Sequence, residues 1–203
     1  MEKHSELIYL HEAGRQCEFA VSACQQINAA LEARNTLEVF RGIHSFLTHT
    51  SNVSKIFWPS RPAKKKDETE QQFAERCELD PRLIRARALR ISVGLPEDGH
   101  PLKSRKLRDH LEHFDERLDR WLGQGHRAYV QDNIGPRGKN LIVIPGVTED
   151  DYMRWFDQTT TTMYFRGEGY DVQELASAVE ALSTAIQSSI DAVRHELLRP
   201  QGA

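Results

Sequence analysis

The chain has 203 residues, of which 39% are hydrophobic and 28% are charged, and its formal net charge is −3 at pH 7. This apolar content can supply the core of one large domain. The slight negative charge excludes the binding of a polyanion by bulk charge, so a nucleic-acid surface has to be a local patch. The sequence shows neither an apolar run of membrane-spanning length nor a signal-peptide block, which predicts a cytoplasmic protein without membrane contact.

Two long helices are predicted in the first part of the chain. Apolar residues recur every three or four positions over residues 5–33, and the same pattern returns after Asn35, which is a suitable N-cap. The second helix is expected to end before Pro59. The three cysteines, Cys17, Cys24 and Cys77, lack CxxC spacing and are interpreted as structural thiols of a reducing compartment.

Shorter elements are expected next. Residues 60–70 contain Pro62 and three consecutive lysines, which predicts a loop, and a short helix is expected over residues 69–78. Asp80-Pro81 then begins a helix that continues through residues 82–93. Its inward-facing residues are predicted to be Leu83, Ile84, Leu89 and Val93.

A third long helix is predicted from Leu102 to Leu122, after the turn-rich residues 94–101. Its apolar stripe consists of Leu107, Leu111, Phe114, Leu118 and Trp121.

The following segment favours β structure. Three strands are predicted within residues 128–136, 141–145 and 159–170, because these are rich in β-branched and aromatic residues and are punctuated by Gly and Pro. Residues 151–158 are interpreted as a connecting turn of helix. A final helix is expected from Asp171 to Leu198, with Asp171 as its N-cap.

These elements predict a mainly α protein. The long single apolar stripes favour an antiparallel helical bundle, with a small β-hairpin or sheet inserted between the last two long helices. We therefore expect a single domain over residues 1–203, with residues 126–170 as the β-rich insertion.

The polar side of the third long helix carries most of the functional information. On a helical wheel, one group of charged residues falls opposite the apolar stripe: Arg105, Arg108, Asp109, Glu112, His113 and Glu116. One interpretation is a solvated face with opposite charges four residues apart. A second is a metal-binding bundle protein, although the paired Glu-x-x-His motifs of di-iron bundles are not found in the sequence.

A third interpretation rests on a resemblance. The segment Arg108-Asp109-His110-Leu111-Glu112-His113 resembles the R-x4-6-H motif of HEPN domains, helical proteins found in bacterial toxins and defence ribonucleases. The resemblance implies a homodimer that brings two motifs into one cleft, and it allows for an antitoxin as a partner protein. It also implies that Arg108, Asp109 and His113 form a catalytic set for metal-independent RNA hydrolysis, without a cofactor.

A basic band precedes the motif. Residues 82–108 carry eight Lys or Arg residues against Glu97 and Asp98, in a protein of negative net charge. Such bands bind phosphates, although a solubilising surface is an equally good interpretation for residues 82–90. The band predicts RNA contacts by Arg82, Arg85, Arg90, Lys103, Arg105 and Lys106. The favoured function is an endoribonuclease of toxin or defence type, and the alternative is a non-catalytic binding or scaffold module.

Overall fold

The structure is a computed structural model that describes residues 1–104, 114–123, 130–138, 147–148, 151–165 and 167–198. Within these ranges the chain is mainly helical, with six α-helices and one four-stranded sheet. The helices are α1 (Lys3–Glu32), α2 (Thr36–Phe57), α3 (Glu70–Glu78), α4 (Pro81–Val93), α5 (Phe114–Leu122) and α6 (Val172–Leu198). The strands are β1 (Val130–Ile134), β2 (Tyr152–Asp157), β3 (Thr162–Phe165) and β4 (Glu168–Asp171).

The chain divides into two compact units. The first consists of Met1–Phe19, His49–Ser104 and Ala178–Ala203, and the second of Ala20–Thr48 and Arg105–Ser177. The three long helices α1, α2 and α6 each contribute residues to both units.

The predictions for α1 and α2 are confirmed. Asn35 is the cap of α2, because its Oδ1 accepts the Glu38 backbone N–H at 3.2 Å. In the second unit the two helices approach closely at Gly42, where an added Cβ would lie 2.8 Å from Ile27 Cγ1. In the first unit Cys17 is buried, and burial raises the pKa of its thiol to about 12, as expected for a structural thiol.

Helices α3 and α4 also begin and end close to the predicted residues. Thr69 forms a capping box with Gln72 at the start of α3, and Asp80 Oδ1 accepts the Arg82 N–H at the start of α4. The predicted inward face of α4 is only partly right. Leu89 and Val93 are buried, but the third buried residue of the helix is Ala86, and Ile84 is exposed.

The third long helix differs from the prediction at its start. Pro101–Lys103 form a single 3-10 turn, and Ser104 has φ −53° and ψ 119°, which is not helical. A helix continuous from Leu102 is therefore wrong. Residues 105–113 lie outside the described residues, and the predicted helix is confirmed over α5, where Trp121 is buried.

The sheet has the order β1-β2-β3-β4, in which β1 and β2 are parallel and the other neighbours are antiparallel. Residues 151–158, predicted as a turn of helix, form strand β2 instead, because they pair on both sides, with β1 and with β3. The predicted strand at 159–170 is in fact two strands, β3 and β4. The predicted strand at 141–145 lies outside the described residues.

One face of the sheet is apolar and buried. Phe156, Met163 and Tyr170 are neighbours in register on three successive strands, and all three are buried. After β4 the chain enters α6, where Asp171 Oδ1 accepts the Glu174 N–H at 2.8 Å, which confirms the predicted cap. Among the described residues, no helix combines the length and apolar character needed to cross a lipid bilayer.

Candidate functional site

The predicted catalytic residues Arg108, Asp109 and His113 lie in residues 105–113, outside the described residues, and so do Arg105 and Lys106. Their arrangement therefore stays a prediction. The structure describes the residues on either side of this segment, and it describes four of the six predicted RNA-binding residues.

The residues before the segment are fixed by aromatic packing. The ring of His100 stacks on that of Trp58, with centroids 4.9 Å apart and planes inclined by 25°. The Leu102 N–H donates to His100 Nδ1 at 3.3 Å, and the indole N–H of Trp58 donates to the Pro96 carbonyl at 3.3 Å. Burial lowers the pKa of His100, which favours the neutral ring that can accept this bond. The 3-10 turn is thereby held against the end of α2.

Arg85 and Arg90, two of the predicted RNA-binding residues, are half-buried and engaged within the first unit. The guanidinium of Arg85 lies over the ring of Tyr9, 4.7 Å from its centroid. Arg90 Nη1 donates to the Phe57 carbonyl at 2.6 Å, at the C-terminal end of α2. Both side chains therefore link α4 to neighbouring helices.

Arg82 and Lys103 are bound to carboxylates. Arg82 donates two hydrogen bonds to Asp80, through Nε and through Nη2, and the bond from Arg82 lowers the pKa of Asp80. Lys103 forms an ion pair with Asp98, and its hydrogen bond lowers the pKa of that carboxyl. The four described residues thus have partners within the chain, and whether they also contact RNA stays a prediction.

Helix α5 continues the two-sided pattern that the sequence predicts for this region. Trp121 is buried and Leu118 is half-buried, whereas Asp115, Glu116, Asp119 and Arg120 are exposed. The division into an apolar stripe and a charged face is therefore confirmed for the described part of the helix.

A polar cluster that the sequence interpretation missed lies at the end of β2. Asp157 is 4% exposed, and its carboxylate accepts the N–H groups of Arg137 (2.9 Å), Thr159 (2.9 Å) and Thr160 (3.4 Å) and the Thr159 hydroxyl (2.7 Å). Burial alone would raise the pKa of Asp157, but these hydrogen bonds outweigh it and lower the pKa to about 2. An Asp followed by threonines at the second and third positions is a signal for such an Asx turn.

Arg137 and Tyr164 form the second part of this cluster. The guanidinium of Arg137 lies 4.0 Å from the centroid of the Tyr164 ring. The ring lies beside Gly169, where an added Cβ would be 3.0 Å from Tyr164 Cε1, and the indole N–H of Trp155 donates to the Gly135 carbonyl at 2.7 Å. These contacts stabilise a half-buried face of the sheet. Stabilising the fold is a sufficient explanation for each of them, so they do not indicate a binding site.

An ion pair on the opposite face was also missed. Arg154 and Asp132 are partners in register on the parallel strands, and Arg154 Nε lies 2.6 Å from Asp132 Oδ1. The guanidinium is also 5.7 Å from the centroid of the Phe40 ring, on α2. Both side chains are largely shielded from solvent. Because the two residues lie on neighbouring strands, the ion pair connects β1 and β2.

A metal site has no support from the part of the chain that the structure describes. There, no three His, Cys, Asp or Glu side chains lie close enough together to hold an ion. Of the helix residues whose side chains could bind a metal, Asp109, His110, Glu112 and His113 lie outside the described residues, and Glu116 is exposed.

Comparison of the chain with protein-family models, with curated proteins and with solved structures finds no match in any of the three.

Proposed function

We propose that this chain is a metal-independent endoribonuclease of the HEPN toxin or defence type, which acts on RNA as a cytoplasmic homodimer and has an antitoxin as a partner protein. The observation that carries the proposal is the sequence Arg108-Asp109-x3-His113. The charged face of α5, which directly follows this motif, supports it because a shared cleft needs a polar surface turned away from the apolar stripe. For the arrangement of the helices we propose a single-domain antiparallel bundle with the sheet inserted before α6.

The chemistry assigns one role to each residue. The 2′-hydroxyl of the RNA attacks the adjacent phosphorus, its proton passes to His113, and the P–O5′ bond breaks. A protonated His113 of the dimer then returns a proton to the leaving 5′-oxygen. Arg108 binds the phosphate through its planar fork and stabilises the charge that develops, and Asp109 orients Arg108 or His113.

Among the described basic residues, Arg82 and Lys103 suit RNA contact best. Each cation is at least partly exposed and bound to one carboxylate, and an exposed cation exchanges its partner for a phosphate more readily than a buried one. Arg85 and Arg90 would have to leave Tyr9 and the Phe57 carbonyl, so their contribution is expected to be smaller. Arg105 and Lys106, next to the motif, complete the proposed RNA surface.

The test is RNA cleavage in the presence of EDTA by purified protein. We expect Arg108→Ala and His113→Ala each to reduce the rate at least about a hundredfold, since each removes a group that acts in the transition state. The control is Arg41→Ala, which removes an exposed arginine of α2 and should leave the rate unchanged. Circular dichroism and sedimentation verify fold and assembly. A wild-type protein inert on every RNA class tested, or cleavage that survives both substitutions, would refute the proposal.

The second candidate function is a non-catalytic binding or scaffold module. It is favoured by α4, where the four arginines contact partners within the chain while Ile84 and Ile91 remain exposed. A surface of this kind suits protein contact better than phosphate contact. The two functions separate in the cleavage assay, because a module leaves RNA intact.

A further inference from the structure

Helix α4 exposes an apolar stripe in the first unit. Ile84 is 48% exposed, Ile91 is 75% exposed, and Ala88 between them is half-exposed. Because the spacings are four and three residues, the three side chains lie on one side of the helix. Two isoleucines with this exposure on one short helix leave apolar surface in contact with water. Covering that surface would be favourable by the hydrophobic effect.

The stripe continues into a shallow groove beside it. Ala88 and Ile91 line a space of about 610 Å³ together with Ser188 and Ala192 of α6. The Ser189 hydroxyl donates to the Ser92 carbonyl at 2.8 Å, which fixes α6 against α4. Small side chains of α4 and α6 form part of the groove, and its other side is lined by Lys3, Glu6 and Glu196, where Lys3 pairs with both carboxylates at 3.4 and 3.0 Å.

The charges beside the stripe decide what can cover it. Arg87 donates two hydrogen bonds to Glu78, at 2.9 and 3.0 Å, and both side chains are exposed. On the same helix Arg82 is neutralised by Asp80. At Glu78 and Arg87 the rim therefore presents one charge of each sign, which favours neither a strongly acidic nor a strongly basic partner protein. It is complementary to a surface that also carries one carboxylate and one guanidinium.

We infer that the stripe on α4 is covered by the same stripe of a second copy of this chain. A two-fold axis near Ala88 places Ile84 of each copy against Ile91 of the other, with the small alanines at the crossing point. The same axis places both Glu78–Arg87 pairs at one rim, where each carboxylate can also reach the arginine of the other copy. The inference rests on the dimer of the proposed function, but it does not depend on the nuclease step.

The interface is expected to be weak. Helix α4 has 13 residues and is about 20 Å long. One helix face with a flanking groove is smaller than the surface of a typical stable complex. We therefore expect a dissociation constant in the micromolar range.

The experiment is sedimentation equilibrium of the full chain over concentrations from 1 to 500 micromolar (about 2.7 decades around the expected midpoint). The wild type should dimerise, whereas Ile91→Asp and Ile84→Asp should remain monomeric because each buries unpaired carboxylates at the interface. The control is Leu37→Asp in α2, where the side chain is 72% exposed, and this variant should dimerise like the wild type. Urea unfolding verifies that the variants are folded.

A cross-link locates the axis independently. Ala88→Cys should form an intermolecular disulfide under mild oxidation, because the two copies of residue 88 meet at the axis. Leu37→Cys and the wild type, whose native cysteines are buried or half-buried, give the background. A wild type that is monomeric throughout, a dimer unaffected by Ile91→Asp, or an Ala88→Cys protein that cross-links no more than the background would overturn the inference. A dimer that cleaves RNA but is insensitive to Ile91→Asp would refute this interface while leaving the proposed function intact.

Discussion

Carboxylates occur in two different surroundings in this chain. Next to α4 they form ion pairs with exposed arginines, and in the turn around Asp157 the carboxylate is buried. Next to α4, the carboxylates of Glu78, at the end of α3, and of Asp80, the N-cap of α4, each bind one arginine, and Arg87 and Arg82 stay largely exposed. At the end of β2, Asp157 is buried and binds backbone N–H groups and a threonine hydroxyl rather than a cation. The difference separates two roles of a carboxylate in this chain, an exchangeable ion pair beside α4 and a fixed internal anchor at Asp157.

This division has a physical cause. An exposed ion pair competes with water and salt, so its partners can be exchanged for those of another molecule at little cost. A buried carboxylate has no water to replace a lost donor, and the donors it leaves behind are also unsatisfied. Recognition is therefore expected at α4, and stability at the Asp157 turn.

The largest expected effect comes from removing the anchor. Asp157→Ala should lower the free energy of unfolding by about 3 kcal/mol, because three backbone N–H groups and one hydroxyl lose their buried acceptor. Urea unfolding at pH 7 measures this loss. The control is Asp98→Ala, which removes an exposed carboxylate paired with Lys103 and should leave the urea midpoint unchanged. Equal losses in the two variants would remove the distinction between anchor and surface pair.

An intermediate effect is expected from pH. The pKa of Asp157 is about 2 in the folded protein, below its ordinary value of 3.8. The stability contributed by its ionised form is therefore complete above about pH 5 and is lost as the pH falls towards 2. The difference in urea midpoint between the wild type and Asp157→Asn should shrink over this interval. If this difference in urea midpoint stays constant from pH 5 to about pH 2, the lowered pKa of Asp157 is contradicted.

The smallest effect is expected at the surface of α4. Arg82→Gln keeps the Asp80 cap and removes only an exposed ion pair, so the urea midpoint should not change measurably. The same variant should weaken RNA binding if Arg82 contacts phosphate, and it should reduce the salt dependence of that binding. A clear loss of stability in Arg82→Gln would show that the Arg82–Asp80 pair stabilises the fold, as Asp157 does.

Long helices could be predicted from the sequence because their signals are local. The apolar residues of α1, α2 and α6 repeat with helical spacing, and Asn35 and Asp171 mark two of the starts. Each of these caps is a hydrogen bond to the backbone N–H three positions further on, so its signal is contained in a short stretch of sequence.

The wrong predictions concern residues whose structure depends on contacts with distant parts of the sequence. Residues 151–158 form a strand because they pair with β1 and β3, and this pairing is not visible in a window of eight residues. Ile84 was expected inside, but Arg85 and Arg90 fix the rotation of α4 through Tyr9 and the Phe57 carbonyl. For the candidate site, the sequence supplied the motif itself, whereas the partners of the basic residues required the fold.

The parallel pairing of β1 with β2 has a consequence for the order in which the chain folds. Strands β2, β3 and β4 follow one another through short turns within residues 152–171, so they can assemble by local hairpin closure. Strand β1 reaches its neighbour only after the connection over residues 135–151 has been closed, which costs more chain entropy. We therefore expect β1 to dock late, onto a hairpin that is already formed.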